Sequence, residues 1–243
     1  MAIIAGIDTT GIRSAFGRLG NLDYTRYIRT EQFNEEDVLV AFTEHVVRVD
    51  RTGDGSEIQV QQADSGGAFD FGFFKRFVSS NLESIDHVDL VPHVIPEDPD
   101  YLNPRRSDSY LFSVRGDTML WNRTARIIEV RARPGYADGL SIRRARYYVE
   151  PETDRLLAMG LDRIDLAMLF REESSFFVHV HPVRFETAAP GAGGSASGVV
   201  PAARRPLLPW NTRFETTIRT PFRDAYTVRT VSTFRDFVPA GGR

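Results

Sequence analysis

No cysteine occurs among the 243 residues, which excludes disulfides, thiolate metal sites and a cysteine nucleophile together. Lysine is almost as scarce: Lys75 is its one occurrence, and every other basic side chain is arginine. Charge of one sign is lacking as well, since thirty basic and thirty-three acidic residues leave a formal charge of -3. No whole-molecule field draws such a chain to a polyanion, so nucleic acid is not an expected partner. No run approaches the roughly 18–20 apolar residues of a membrane span, so the chain is expected not to cross a bilayer. Residues 1–6 lack the basic region and long apolar stretch of an export signal. If the protein is exported, its signal is expected to have been removed from this sequence.

Catalytic signatures are missing too. There is no G-x-S-x-G elbow, no HExxH, no phosphate-binding loop and no dinucleotide fingerprint. The expectation is therefore a protein that is not an enzyme, with no catalytic residues, no cofactor and no metal.

What is present is apolar and β-prone. Hydrophobic residues make up 42% of the chain and include seventeen Phe, enough for a sizeable core. A single domain over residues 1–243 is expected, because β structures of this length often form one unit. Residues 9–19 place Ile12, Phe16 and Leu19 one turn apart behind a Thr-Thr cap, which predicts a short helix. Ten segments then alternate polar with apolar residues, at 24–31, 38–50, 57–62, 110–115, 124–133, 140–150, 155–162, 175–187, 212–219 and 225–237. Ile128, Val130 and Ala132 oppose Glu129, Arg131 and Arg133, while Phe214, Thr216 and Ile218 oppose Arg213, Glu215 and Arg219, so one face is expected to be solvated. With no βαβ alternation, these segments predict one antiparallel sheet that curls on itself, because twist accumulates over so many strands. Its concave face must be covered.

Two stretches interrupt the pattern. Residues 188–203 are rich in Gly, Ala and Pro and read as a flexible insertion loop. Residues 91–104 hold Pro92, Pro96, Pro99 and Pro104 and predict an extended surface loop.

Between residues 69 and 78, Phe69, Phe73 and Phe77 recur at i, i+4 and i+8, with Phe74 beside them. A helix with that face could close a ligand cavity or pack on the sheet as ordinary core; the difference is whether the space beneath is filled. His179 and His181 share a strand face without a third ligand nearby in sequence, which favours a structural pair. Glu97, Asp98, Asp100 and Asn103 offer oxygens without a calcium-loop spacing, which favours a solvated acidic loop. Arg123, Arg126, Arg131, Arg133, Arg143, Arg144 and Arg146 give the middle strands a basic bias that could meet lipid head groups or an acidic partner, although Glu129, Glu150 and Glu152 favour a salt-bridged outer face.

Residues 126–134 (RIIEVRARP) followed by 145–157 (ARYYVEPETDRLL) form a strand ending in basic residues and Pro, a second strand, a Pro-Glu-Thr-Asp-Arg turn and a return strand. This pattern resembles the outer-membrane lipoprotein-sorting (LolA/LolB-like) superfamily, closely over residues 120–165 and loosely elsewhere. The resemblance implies a mostly β, α+β fold: an incomplete β-barrel whose concave side is covered by short helices. It further implies a periplasmic or envelope-associated carrier for a lipid acyl chain, a lipoprotein or a similar apolar ligand. No family motif carries individual ligand-contacting residues over; the cavity candidates come from the residue pattern itself, Phe69, Phe73, Phe74 and Phe77 from the aromatic segment, with Ile128, Val130, Phe214 and Ile218 from the strands. The alternative is an envelope-associated module that docks a protein partner through its Arg-rich sheet face and has no cavity.

Overall fold

A computed structural model describes residues 10–52, 55–70, 99–167, 170–183, 185, 205–221 and 223–240. The helix α1 spans Thr10–Gly17 and continues as a 3-10 turn over Arg18–Asn21. Ten strands follow: β1 (Leu22–Phe33), β2 (Leu39–Thr52), β3 (Gly55–Gly67), β4 (Tyr110–Leu120), β5 (Arg123–Ala132), β6 (Ile142–Glu150), β7 (Arg155–Ala167), β8 (Phe170–Pro182), β9 (Leu207–Thr220) and β10 (Arg223–Pro239). They form one antiparallel sheet in the order β3-β2-β1-β10-β9-β8-β7-β6-β5-β4. Only the β1/β10 pairing joins strands distant in sequence, and β3 and β4 are left as the two edges of an unclosed barrel.

Local chemistry accounts for the turns. Asn34 accepts hydrogen bonds from the backbone N–H groups of Glu36 and Val38 through its carboxamide oxygen, closing the β1/β2 connection with Asp37 at φ 59°. Trp121 and Asn122, at φ 49° and 63°, are the two central residues of a tight turn between β4 and β5, matching the twist of the strands they join. Gly67 sits at φ 72° against β2, where a Cβ would collide with the Val40 carbonyl.

The helix lies on the inner face of the sheet. Ile12, Ala15, Phe16 and Leu19 are all buried, Phe16 meeting Phe234 edge-on at 5.9 Å between ring centres. Arginines fasten this end: Arg18 donates to the Leu207 carbonyl at 3.0 Å and Arg51 to the Leu19 carbonyl at 3.1 Å. The main core runs from there across the inner face to Val130, Ala145, Tyr147, Leu161 and Val178.

All ten expected strands exist, each within a longer observed one except at four ends: the starts expected at 38 and 140 and the ends expected at 133 and 187 overrun the strands. The strand expected over 175–187 stops at Pro182, whose ring removes a ladder donor. Among the described residues α1 is the one α-helix; the second helix, expected over the Phe-rich segment 69–78, falls almost wholly outside the described residues. The Pro-rich stretch is not all surface loop: its described part, 99–104, makes a 3-10 turn over Asp100–Leu102 that drives Tyr101 fully into the core. The outer face is not uniformly solvated either, since Glu129 and Glu150 are buried beneath guanidinium groups. The insertion expected at 188–203 lies outside the described residues.

Candidate functional site

In an antiparallel pair, residues directly opposite point to the same face, so the register assembles the inner surface row by row. One row runs Val114, Ile128, Tyr147, Met159, Val178, Thr212, Ser232, Ile28, His45 and Ala63 from β4 to β3. The next runs Phe112, Val130, Ala145, Leu161, Phe176, Phe214, Thr230, Thr30, Thr43 and Ser65. Over β4 to β8 both rows are apolar. The first turns to hydroxyl groups at Thr212 on β9 and Ser232 on β10 before Ile28 on β1, and the second keeps Phe214 on β9 and turns at Thr230 on β10, continuing through Thr30 and Thr43.

The hydroxyl half is buried along with the apolar half. Thr30, Thr212 and Ser232 are at most 9% exposed, as are Thr216 and Gln32 one row further. Thr30 and Thr230 share a hydrogen bond at 3.1 Å, Thr216 donates to Glu172 at 3.1 Å, and Ser232 accepts from Arg26 at 3.0 Å. Arg26 itself is buried, with its guanidinium 5.2 Å from the Phe234 ring centre.

Two contacts fix where the chain enters and leaves residues 71–98. At the near end, the Gln32 side chain donates to the Asp70 carbonyl at 2.7 Å and accepts from the Asp70 N–H at 2.8 Å, on the inner face of β1. At the far end the Tyr101 hydroxyl is hydrogen-bonded to that of Tyr147 on β6, with Tyr110 packed edge-on at 5.7 Å. Burial pushes the Tyr101 phenol well up, and the charges of the neighbouring phenols add to it. Burial likewise takes Tyr147 to about 12. These phenols remain neutral and serve as packing.

The predicted strand candidates meet on one surface. Ile128, Val130, Phe214 and Ile218 all face inward, Ile128 and Val130 on β5 and Phe214 and Ile218 on β9. Phe69 is half-buried in irregular backbone beside Asp70. Phe73, Phe74 and Phe77 lie outside the described residues, as do Glu97 and Asp98. Asp100 pairs with Arg106 at 2.7 Å. The hydroxyl band was missed at the sequence level, although Thr212, Phe214 and Thr216 already alternate on β9; Thr is ordinary in strands, and only the register aligns it with Thr30, Thr230 and Ser232 from distant strands.

The histidine pair faces the other way. His179 is 2% exposed, with the Trp121 ring stacked on it at 5.7 Å, and His181 lies between His179 and Trp210. Burial, assisted by His181, lowers the His179 imidazole to about 4. The two imidazoles, packed between Trp121 and Trp210, form an outer-face packing unit. No cluster of three or more metal-ligating side chains occurs among the described residues.

Solved structures similar to this chain include an outer membrane lipoprotein-sorting protein domain from Vibrio parahaemolyticus, with 9% identity, coverage of 99% of this chain and 94% of that one, and a TM-score of 0.30. Another is a LolA superfamily protein from Nitrosomonas europaea, with 7% identity, coverage of 96% and 93%, and a TM-score of 0.26. A third is a DUF1329 family protein from Desulfovibrio piger, with 10% identity, coverage of 96% and 95%, and a TM-score of 0.25. They include the superfamily that residues 120–165 resemble; at these scores and identities they transfer neither membership nor activity. No protein-family model matches the chain, and no curated protein does. No helix among the described residues is long and apolar enough to cross a membrane.

Proposed function

We propose that this protein is a non-enzymatic carrier or binder of an amphiphile, a lipid acyl chain or an acylated protein, acting in the cell envelope. The observation that carries the reading is the uneven inner face: apolar side chains across β4 to β8, and a band of hydroxyl groups from Thr212, Thr230, Ser232 and Thr30, interleaved with Phe214 and Ile28, across β9, β10 and β1. An alkyl chain gains by leaving water for the first half, and a headgroup or ester finds donors and acceptors in the second. Ile128, Val130, Phe214 and Ile218 are the side chains proposed to meet the ligand.

Native mass spectrometry of the purified protein, before and after organic extraction, tests this. The expected result is a co-purifying lipid, or uptake of one added lysophospholipid per chain after extraction. A clean ligand-free mass with no uptake from micelles or vesicles overturns the reading.

A further inference from the structure

The edge strand β4 and the hairpin it forms with β5 carry an unusual combination of exposed apolar groups and surplus positive charge. Leu111, Val114, Met119 and Trp121 are 44%, 53%, 61% and 61% exposed. Beside them, across β4 to β7, five guanidinium groups share three carboxylates, Arg126 and Asp117 on the inner side of the register and the others on the outer side. Arg115 and Arg131 both hold Glu129, at 2.6 and 3.3 Å, and Arg126 holds Asp117 at 3.1 Å. Arg144 and Arg146 both reach Asp162, at 2.6 and 3.9 Å. These pairings leave two positive charges over, in a chain whose formal charge is -3.

We infer that β4 accepts an extended, acidic segment of a partner protein as an added strand. Among the described residues β4 pairs with β5 alone, so its other side offers backbone donors and acceptors. A bulge at Arg115, with Gly116 at φ 107°, divides the edge and leaves residues 110–114 as the regular stretch for pairing. An added strand there would lay alternate side chains against Leu111 on the outer side and Val114 on the inner side. Its outward acidic groups would then reach Arg115 and Arg131. A second copy of this chain fits the same edge poorly, because an antiparallel β4/β4 pair over residues 110–114 puts the arginine surplus of both copies on one side of the joined sheet. The edge β3 of a second copy fits poorly, because an extra residue at Gln61 interrupts its ladder.

The test uses the full chain and a synthetic ten-residue peptide alternating Glu with Val, labelled for fluorescence anisotropy at low salt. Controls are the same peptide with Pro at two central positions and a peptide alternating Lys with Val. Saturable binding of the acidic peptide is expected, weakened about tenfold or more by central Pro, by Leu111→Asp and by Arg131→Gln. Arg131→Gln leaves Glu129 paired with Arg115, and circular dichroism confirms that both variants fold. Amide hydrogen exchange in the complex is expected to slow in residues 110–114. Equal binding of the Pro and parent peptides overturns strand addition. Absence of binding, protection confined elsewhere, preference for anionic phosphatidylglycerol vesicles over the peptide, or self-association through β4 each overturns the proposal. None of these outcomes depends on ligand uptake, so the surface stands or falls apart from the carrier function.

Discussion

At the scale of single residues, the structure spends its buried polar groups on pairs. Tyr101 and Tyr147 satisfy one another inside the core, so Tyr101→Phe is expected to cost about 1–3 kcal/mol by stranding the Tyr147 hydroxyl. The double change to Phe should restore most of that loss in urea unfolding; a double variant less stable than the single one would show that the phenols have other partners. His179 makes a different demand. Its imidazole, ordinarily near 6.5, is lowered by burial to about 4 in the fold. The unfolded chain therefore takes up a proton that the folded chain refuses, and stability is full above the ordinary value and lost as pH falls from 6.5 towards 4. From about pH 7 to about pH 5 the loss from this group is roughly 2 kcal/mol, and His179→Phe should flatten that slope. His181, lowered by burial and by Arg123, adds in the same direction. The acidic side is separated from this window. Burial raises Glu129, but the Arg115 hydrogen bond and the surrounding guanidinium charges outweigh it and hold the carboxyl below its usual range. Its stabilisation is lost only at lower pH.

At the scale of elements, α1 is too short to persist alone in water and exists because its apolar stripe is buried. Phe16 carries much of that contact through Phe234, which also meets Tyr24 at 6.0 Å. Phe16→Ala is expected to cost about 3–5 kcal/mol, read as a fall in the thermal midpoint. A loss below about 1 kcal/mol would mean that the helix contributes little to the inner face. The strands were legible in the sequence because alternation has a period of two wherever one face is buried, as at Ile128, Val130 and Ala132. Their ends were less so. Strand β8 ends at Pro182 although apolar alternation continues through Val183 and Phe185, and β1 begins at Leu22, where burial of both faces hides the alternation. The burial of Glu129 was also hidden, since nothing in the local pattern around it says that arginines from β4 will close over the carboxylate.

For the whole molecule, the ten-strand order follows the chain except at one place, where β10 returns to pair with β1 along eleven register positions. That closure brings Thr30 opposite Thr230 and Ile28 opposite Ser232, and so creates the hydroxyl band. The apolar half needed no such closure, because β5 to β8 are successive hairpins; of their inward residues only the β5 set Ile128, Val130 and Ala132 was predicted. By itself, then, the sequence determined the number of strands, the alternating sets of β5 and β9 and the absence of cysteine chemistry, since these depend on composition and on short periods. The tertiary structure alone decided which distant strands became neighbours. It thereby decided the chemical split of the inner face, the stacking of Trp121 on His179 and the charge surplus beside β4. Each of these joins side chains with no local signal of their meeting, brought into contact by the register of the finished sheet.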